Sequence, residues 1–442
     1  MLGLRALART LTLGLSVAGI AAFPGHALAK GAVTLHAFCD DNGECKDGDT
    51  PMQGLTMDAA GNLYGATFQG GFENSGVVFE LTPVGDGTWK SHRLYSFCAQ
   101  SSCADGSNPE SGVVLDTNGD VYGTTASGGA ENCGVAYELI PNAARTKWHE
   151  KILFDFCTHN GEADGELPGG RGLTYAGAAS GAFYDGTSPL YGITQFGGND
   201  LANGGNIGYG VAFALTPQGR KWKETILRTF CSEGGSACTD GGAPFASLLA
   251  DASGNLYGTL VQGGANGGGV AYEIAAGTHA YTVLYDFCAL ANCADGKNPR
   301  AELVFDGTGA LIGNTSTGGA NNFGAVYKIV PNGASSQESV LYSFCTSSGC
   351  PDGVAPISAV ALDSSGALYG TTLGGGFGDG VIYKLSGGTE TVLYNFCSKA
   401  ICKDGLMPSG GILLDATGDL LFETEQGGTH SHGAAFLLKP KN

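Results

Sequence analysis

Apolar and polar positions alternate along this chain in short runs such as "RLYSF" and "DVYGTT", separated by Gly, Asn, Asp and Pro. Period-two runs of that length between turn residues predict β-strands. No helical periodicity appears beyond residue 29. The runs recur in a fixed order. One ends at a phenylalanine, a polar loop then closes on Asp-Gly-x-x-Pro, and an apolar run such as "GVVLD" follows. A D-x-x-G turn leads into "DVYGTT", and a glycine-rich loop leads into "GVAYELI".

The phenylalanine stands at Phe38, Phe97, Phe156, Phe230, Phe287, Phe344 and Phe396, in steps of 59, 59, 74, 57, 57 and 52 residues. Seven units of four strands predict an all-β, seven-bladed β-propeller with antiparallel blades. A stacked β-helix has shorter turns than these units. "GVVLD" is then the innermost strand, "DVYGTT" the second, "GVAYELI" the third and "RLYSF" the outermost. The first unit's leading segment, 33–38, is an outermost strand alone, and the chain ends one strand short of a unit. The two ends together predict a three-plus-one closure, which leaves no sheet edge between first and last blades. Each third strand carries one aromatic: Phe79, Tyr137, Phe213, Tyr272, Tyr327, Tyr383 and Phe436. Such rings suit the wedge between blades.

The repeated string "LYSF…DGxxP…LDxxGxLYGTTxxGG…GxxYxL" resembles the GloVer-type tandem repeats of bacterial secreted and surface proteins, often labelled "choice-of-anchor". The likeness covers all seven units. It implies an extracellular repeat protein and no established chemistry. "LDxxGxLYG" is also similar to the hairpin turns of NHL and Asp-box propellers, where Asp and Gly shape a turn. The paired cysteines are an elaboration on this pattern. The tail "FLLKPKN" carries no anchor signal.

Residues 1–29 read as an export signal: Arg5 and Arg9, an apolar stretch over 11–23, and the A-x-A site Ala27-Leu28-Ala29. Cleavage after Ala29 leaves one propeller domain over 30–442, secreted or periplasmic, and no later stretch is apolar enough to span a bilayer. The net charge of -19 argues against nucleic acid and anionic lipid as partners. An extracellular glycan, peptide or protein remains.

All 14 cysteines lie beyond residue 29. Twelve form local pairs between an outermost strand and the next innermost one. These are Cys39 with Cys45, Cys98 with Cys103, Cys231 with Cys238, Cys288 with Cys293, Cys345 with Cys350, and Cys397 with Cys402. Their spacings are not those of C-x-x-C redox centres or zinc ribbons, and in an exported chain they predict disulfides. In the third unit Glu162 stands where a second cysteine belongs, which leaves Cys157 and Cys133. Both lie equally far from the centre of a hairpin near residue 145, so they predict a Cys133–Cys157 bond.

Candidate chemistry is sparse. The Asp-Gly aspartates are Asp47, Asp105, Asp164, Asp240, Asp295, Asp352 and Asp404, each followed by a proline four residues on. They read as Asx-type turns. A ring of these carboxylates is also a set that Ca²⁺ takes, although the D-x-D-x-D-G loop is absent. Asp58, Asp116, Asp251, Asp306, Asp363 and Asp415 read as turn caps on the opposite face, with Ala176 in the third unit. The sharper candidates break the repeat. In the last unit Glu423, Glu425, His430 and His432 are a candidate metal set. In the third, Asn199, Asp200, Asn203 and Tyr209 are candidate walls of a glycan or peptide site. Arg171, Arg300 and Glu302, with Glu110, begin innermost strands near the channel mouth. No hydrolase, zincin, P-loop or dinucleotide fingerprint is present. The expectation is a non-catalytic binding or scaffold propeller. The alternative is a hydrolase or lyase acting on an extracellular carbohydrate or lactone, with metal assistance as one form of it.

Overall fold

The computed structural model describes residues 31–41, 43–158, 163–198 and 208–440, so the segment 1–29 expected to be an export signal lies outside the described residues. Seven antiparallel sheets follow one another as the blades of a propeller. The second blade is typical. Its strands run Val114–Leu115, Val121–Thr124, Val135–Pro141 and Trp148–Asp155 from innermost to outermost. In the first blade the innermost strand is interrupted, and Asp49–Pro51 and Thr56–Met57 both pair with Leu63–Gln69. The last blade closes the ring. Val33–Ala37 pairs with Ala434–Leu438 in the register Val33↔Leu437 and Ala37↔Ala434.

Aromatic contacts join the blades. All seven third-strand rings are fully buried. Six of them meet the repeat phenylalanine of the preceding blade at 4.8–5.3 Å between centroids, among them Phe38–Phe79, Phe97–Tyr137 and Phe287–Tyr327. Each such pair contributes about 0.5–1.5 kcal/mol beyond its buried area. The ring also explains the glycine of "LYG". A Cβ at Gly123 would lie 2.3 Å from the Tyr137 hydroxyl, so only glycine lets the ring lie flat on the second strand. The last blade has Phe422 there. Its ring stacks at 5.5 Å on Phe436 and meets Phe396 edge-on at 5.6 Å.

Innermost segments of all seven blades enclose an axial cavity of about 350 Å³, lined by small residues such as Gly54, Gly112, Ala359 and Gly411 and by aliphatic ones such as Leu55 and Val360, with Glu302 among them. The third blade differs most. Its innermost strand, Glu166–Thr174, has nine residues. The excursion that follows carries the short 3-10 turn Ala178–Ser180, and Ala178 and Ala179 reach the axial cavity. Tyr184 is fully buried against the second blade, where its N–H donates to the Leu115 carbonyl at 3.0 Å.

Candidate functional site

The loops after the outermost strands and the loops between second and third strands share one face. Backbone bonds tie the two sets together through the second cysteine of each pair. The N–H of Gly71 donates to the Cys45 carbonyl at 2.9 Å, and that of Gly129 to Cys103 at 3.0 Å. Gly264, Gly319 and Gly376 repeat the bond to Cys238, Cys293 and Cys350, each at 2.9 Å, and Gly428 repeats it to Cys402 at 3.0 Å. All seven disulfides lie on this face. They are Cys39–Cys45, Cys98–Cys103, Cys231–Cys238, Cys288–Cys293, Cys345–Cys350 and Cys397–Cys402 at the joints, and Cys133–Cys157 across the hairpin. Cys238, Cys293 and Cys350 stand in no cluster of metal-ligating groups among the described residues. They are structural staples.

The Asp-Gly carboxylates sit beneath the disulfides and are buried, apart from the half-buried Asp47. Asp105 accepts from the Ala99 N–H at 2.9 Å, the Gln100 N–H at 3.0 Å and the Tyr95 hydroxyl at 2.8 Å. Tyr285, Tyr342 and Tyr394 repeat the hydroxyl bond to Asp295, Asp352 and Asp404. Burial alone would raise the Asp404 carboxyl, but bonds from Ser398, Tyr394 and the Lys399 N–H bring it below the ordinary range. Arg228 takes the tyrosine's part for Asp240, and His36 takes it for Asp47.

These joints hold strained backbone. The residue before each repeat proline is left-handed: Thr50, Asn108, Leu167, Ala243, Asn298, Ala355 and Met407, with φ of 53–59°. So is the first cysteine of each joint, with φ of 52–67°. The second cysteines, Cys45, Cys103, Cys238, Cys293, Cys350 and Cys402, are left-handed too, with φ of 45–53°. A non-glycine residue there costs about 1–2 kcal/mol. Staples and aspartate bonds keep the loops in that shape, so the face is stiff.

It is also apolar. Among the described residues, five of the eleven exposed large hydrophobic side chains stand on these loops, Phe72, Leu290, Phe323, Phe377 and Ile401, and a sixth, Phe196, ends the second strand that leads into one of them. Phe72 and Phe377 are the most exposed aromatics, at 63% and 72%. At the axis this face carries polar groups. Glu110, Arg300 and Ser409 precede by two the cavity-lining Gly112, Glu302 and Gly411. Burial raises the Glu110 carboxyl above its ordinary range; a bond to Gln195 opposes this and the Glu425 charge adds to it. Burial likewise raises Glu425, against a bond from Ser409. Arg300 stacks over Phe245, 4.4 Å from the ring centroid.

The Gloeobacter/Verrucomicrobia repeat matches residues 27–203 and 185–436. The chain belongs to this repeat family. No curated protein matches it. Among solved structures, a candidate 6-phosphogluconolactonase of Bacteroides fragilis aligns with a TM-score of 0.46 and 14% identity, over 84% of this chain and 86% of that one. A nidogen/laminin complex chain aligns with a TM-score of 0.38 and 12% identity, over 73% and 91%. Likeness at this level carries no argument about substrate or partner.

In this family member the residues singled out from the sequence scatter over several places. Asn199, Asp200, Asn203 and Glu162 lie outside the described residues. Arg171 lies in the third blade's innermost strand. Tyr209 packs against Gly242, between the third and fourth blades. Glu302 lines the axial cavity, and Arg300, two residues earlier, stacks over Phe245. Glu423 is 1% exposed, accepts from the Gly54 N–H at 3.2 Å, and is pushed up to about 8 by burial. Glu425 joins Ser409 and Glu110 at the mouth. His430 and His432 instead line a separate cavity of about 250 Å³ with Cys39, Asp40 and Gly43. Sequence reasoning missed Gln195, Ser409 and Phe245, because single polar or aromatic residues at the start or end of a strand carry no motif. Among the described residues no helix is long and apolar enough to cross a membrane.

Proposed function

We propose that this protein is exported and binds an extracellular glycan, peptide or surface protein through its disulfide-bearing face, without catalysis. The concentration of Phe72, Phe323, Phe377, Leu290 and Ile401 on that face carries the reading. Exposed aromatics on stiff loops give contact area at little entropic cost. Seven disulfides suit an oxidising compartment. The charge of -19 favours neutral or cationic partners. Arrays of neutral oligosaccharides and of basic peptides test it. Retention should fall at least about ten-fold in Phe72→Ala with Phe377→Ala, about 1.4 kcal/mol in binding, with the thermal midpoint unchanged. Retention indifferent to both substitutions would remove the face from the account.

One observation favours the second reading, a glycan- or lactone-acting hydrolase. The Glu425 charge acts on Glu110 at the mouth, and paired carboxylates are the minimum of glycosidase chemistry. Turnover of a glycoside or lactone panel, abolished by both Glu110→Gln and Glu425→Gln, would establish it.

A further inference from the structure

The joint that closes the ring differs from the other six in residues of one chemical kind. Two residues before the repeat phenylalanine the other joints have Tyr95, Phe154, Arg228, Tyr285, Tyr342 and Tyr394; this one has His36. After the first cysteine they have Ala99, Thr158, Ser232, Ala289, Thr346 and Ser398; here it is Asp40. Two residues past the Asp-Gly aspartate Asp49 stands here, and of the other six joints one has a carboxylate there, Glu166 of the third. The glycine that opens the third strand follows His432 only in the last blade. Each of these exchanges brings in an imidazole or a carboxylate.

The fold gathers them. His36 Nε2 lies 2.9 Å from Asp47 Oδ2. His36, Asp40 and Asp47 each offer an atom within 4.8 Å of the other two. His432 Nδ1 lies 3.0 Å from Asp49 Oδ2. His430 and His432 face Asp40 across the cavity of about 250 Å³ beside the Cys39–Cys45 staple. The His36 ring is set edge-on to Phe38 at 4.8 Å, which fixes its plane. Asp47 divides its work. Oδ1 accepts from the Cys39 N–H at 3.0 Å and shapes the loop, while Oδ2 faces His36.

We propose that the ring-closing joint is a divalent metal site of the Zn²⁺ class, with His36, Asp40 and Asp47 as ligands and His430 and His432 bordering the fourth position. Tetrahedral Zn²⁺ with nitrogen and oxygen ligands at about 2.0–2.2 Å places those atoms roughly 3.3 Å apart. The His36–Asp47 pair is already near that spacing. Asp40 is exposed and closes the remainder by rotating its side chain. Mixed imidazole and carboxylate donors favour Zn²⁺, Co²⁺ or Ni²⁺ over Ca²⁺ and Mg²⁺, which take oxygen. All cysteines are in disulfides and supply no thiolate. The three ligands come from the segment that runs from the closing strand into the first blade, and the histidines come from the last blade. An ion there clasps the two ends of the ring. This inference does not depend on what the opposite loops of the face bind.

The test uses the full exported chain, with its disulfides intact, and Zn²⁺ or Co²⁺ as the probe. His36→Tyr and Asp40→Ala install residues that other joints carry, so the loop keeps a donor to Asp47. After loading and desalting, elemental analysis should find one Zn²⁺ per wild-type chain. Each variant should lose at least about 100-fold in affinity. Zn²⁺ should raise the melting temperature of the wild type alone, and Co²⁺ should give it a tetrahedral visible spectrum. If His36→Tyr does not fold, Asp40→Ala at its exposed position decides alone. A wild type that retains no metal at micromolar Zn²⁺, or variants that retain as much, would overturn the proposal.

Discussion

Replacing Glu423 by Gln should stabilise the propeller at neutral pH and not in acid. The position is a bridge between blades. Asn314 donates to the Ser358 carbonyl of the next blade at 2.8 Å, and Thr371 to that of Pro408 at 2.9 Å. Glu423 makes the same link from last blade to first, but as an acceptor from the Gly54 N–H. Its other oxygen has no hydrogen-bond partner. Burial, opposed only by that N–H, pushes its carboxyl from 4.5 to about 8. Below pH 4.5 the folded and unfolded chains both hold the proton, and the group carries no penalty. Between pH 4.5 and 8 the unfolded chain releases it first, so stability falls as pH rises, by up to about 1.4 kcal/mol per pH unit. By pH 7 the penalty approaches about 3 kcal/mol. Gln cannot ionise and keeps the acceptor for Gly54, but it leaves a buried amide short of a partner, which costs about 1 kcal/mol. The expected net gain is about 1–2 kcal/mol at pH 7, vanishing or reversing at pH 4.5. Urea unfolding of both proteins across pH 4.5–8 reads the difference. Glu150, Glu224, Glu338 and Glu390 are also raised by burial, so only the difference between the two proteins isolates this group. A difference that does not change with pH, or a Gln variant less stable at pH 7.5, would refute the reasoning.

Other joints allow simpler checks. Tyr285→Phe removes the 2.9 Å bond to the buried Asp295 and should cost about 1–3 kcal/mol in thermal or urea unfolding. The fold should survive, since the third joint has Phe154 in that place. Cys133→Ser with Cys157→Ser opens a loop of 24 residues and should cost about 3 kcal/mol, against about 2 for the five-residue loop of Cys98 and Cys103. Non-reducing peptide mapping of the parent should recover a peptide linked through Cys133 and Cys157.

Much of the architecture is legible because the chain carries its own comparisons. Seven copies of one pattern identify strand order, and the lone strand 33–38 explains itself as the missing strand of the last blade. The glycine of "LYG" and the aromatic of the third strand read as unrelated signals until the ring is seen lying on the glycine. The cysteine pairs are legible from spacing, but the second task of Cys238, Cys293 and Cys350, accepting a backbone bond from the neighbouring glycine-rich loop, is not. The strained residue before each proline is not legible at all. Thr50, Leu167, Ala243 and Met407 share no side-chain property, and the backbone demand comes from the staple and the aspartate around them. The candidate site divides similarly. Glu423 and Glu425 sit close to His430 and His432 in sequence, which suggests one metal set. The second strand, however, ends over the axis, while the loop beyond carries the histidines away to the staple at Cys39. Glu110 and Glu425 belong to different blades, and only ring closure brings them together. His36 stands out only when aligned with the tyrosines of the other joints.

The central claim is binding without turnover on the disulfide-bearing face. The most direct measurement takes the neutral oligosaccharides and basic peptides captured by the wild-type protein, holds them with it overnight, and identifies them by mass spectrometry. The account predicts ligands recovered intact, and capture lost when Phe72 and Phe377 become alanine. Cleaved or ring-opened products that disappear in Glu110→Gln would contradict it.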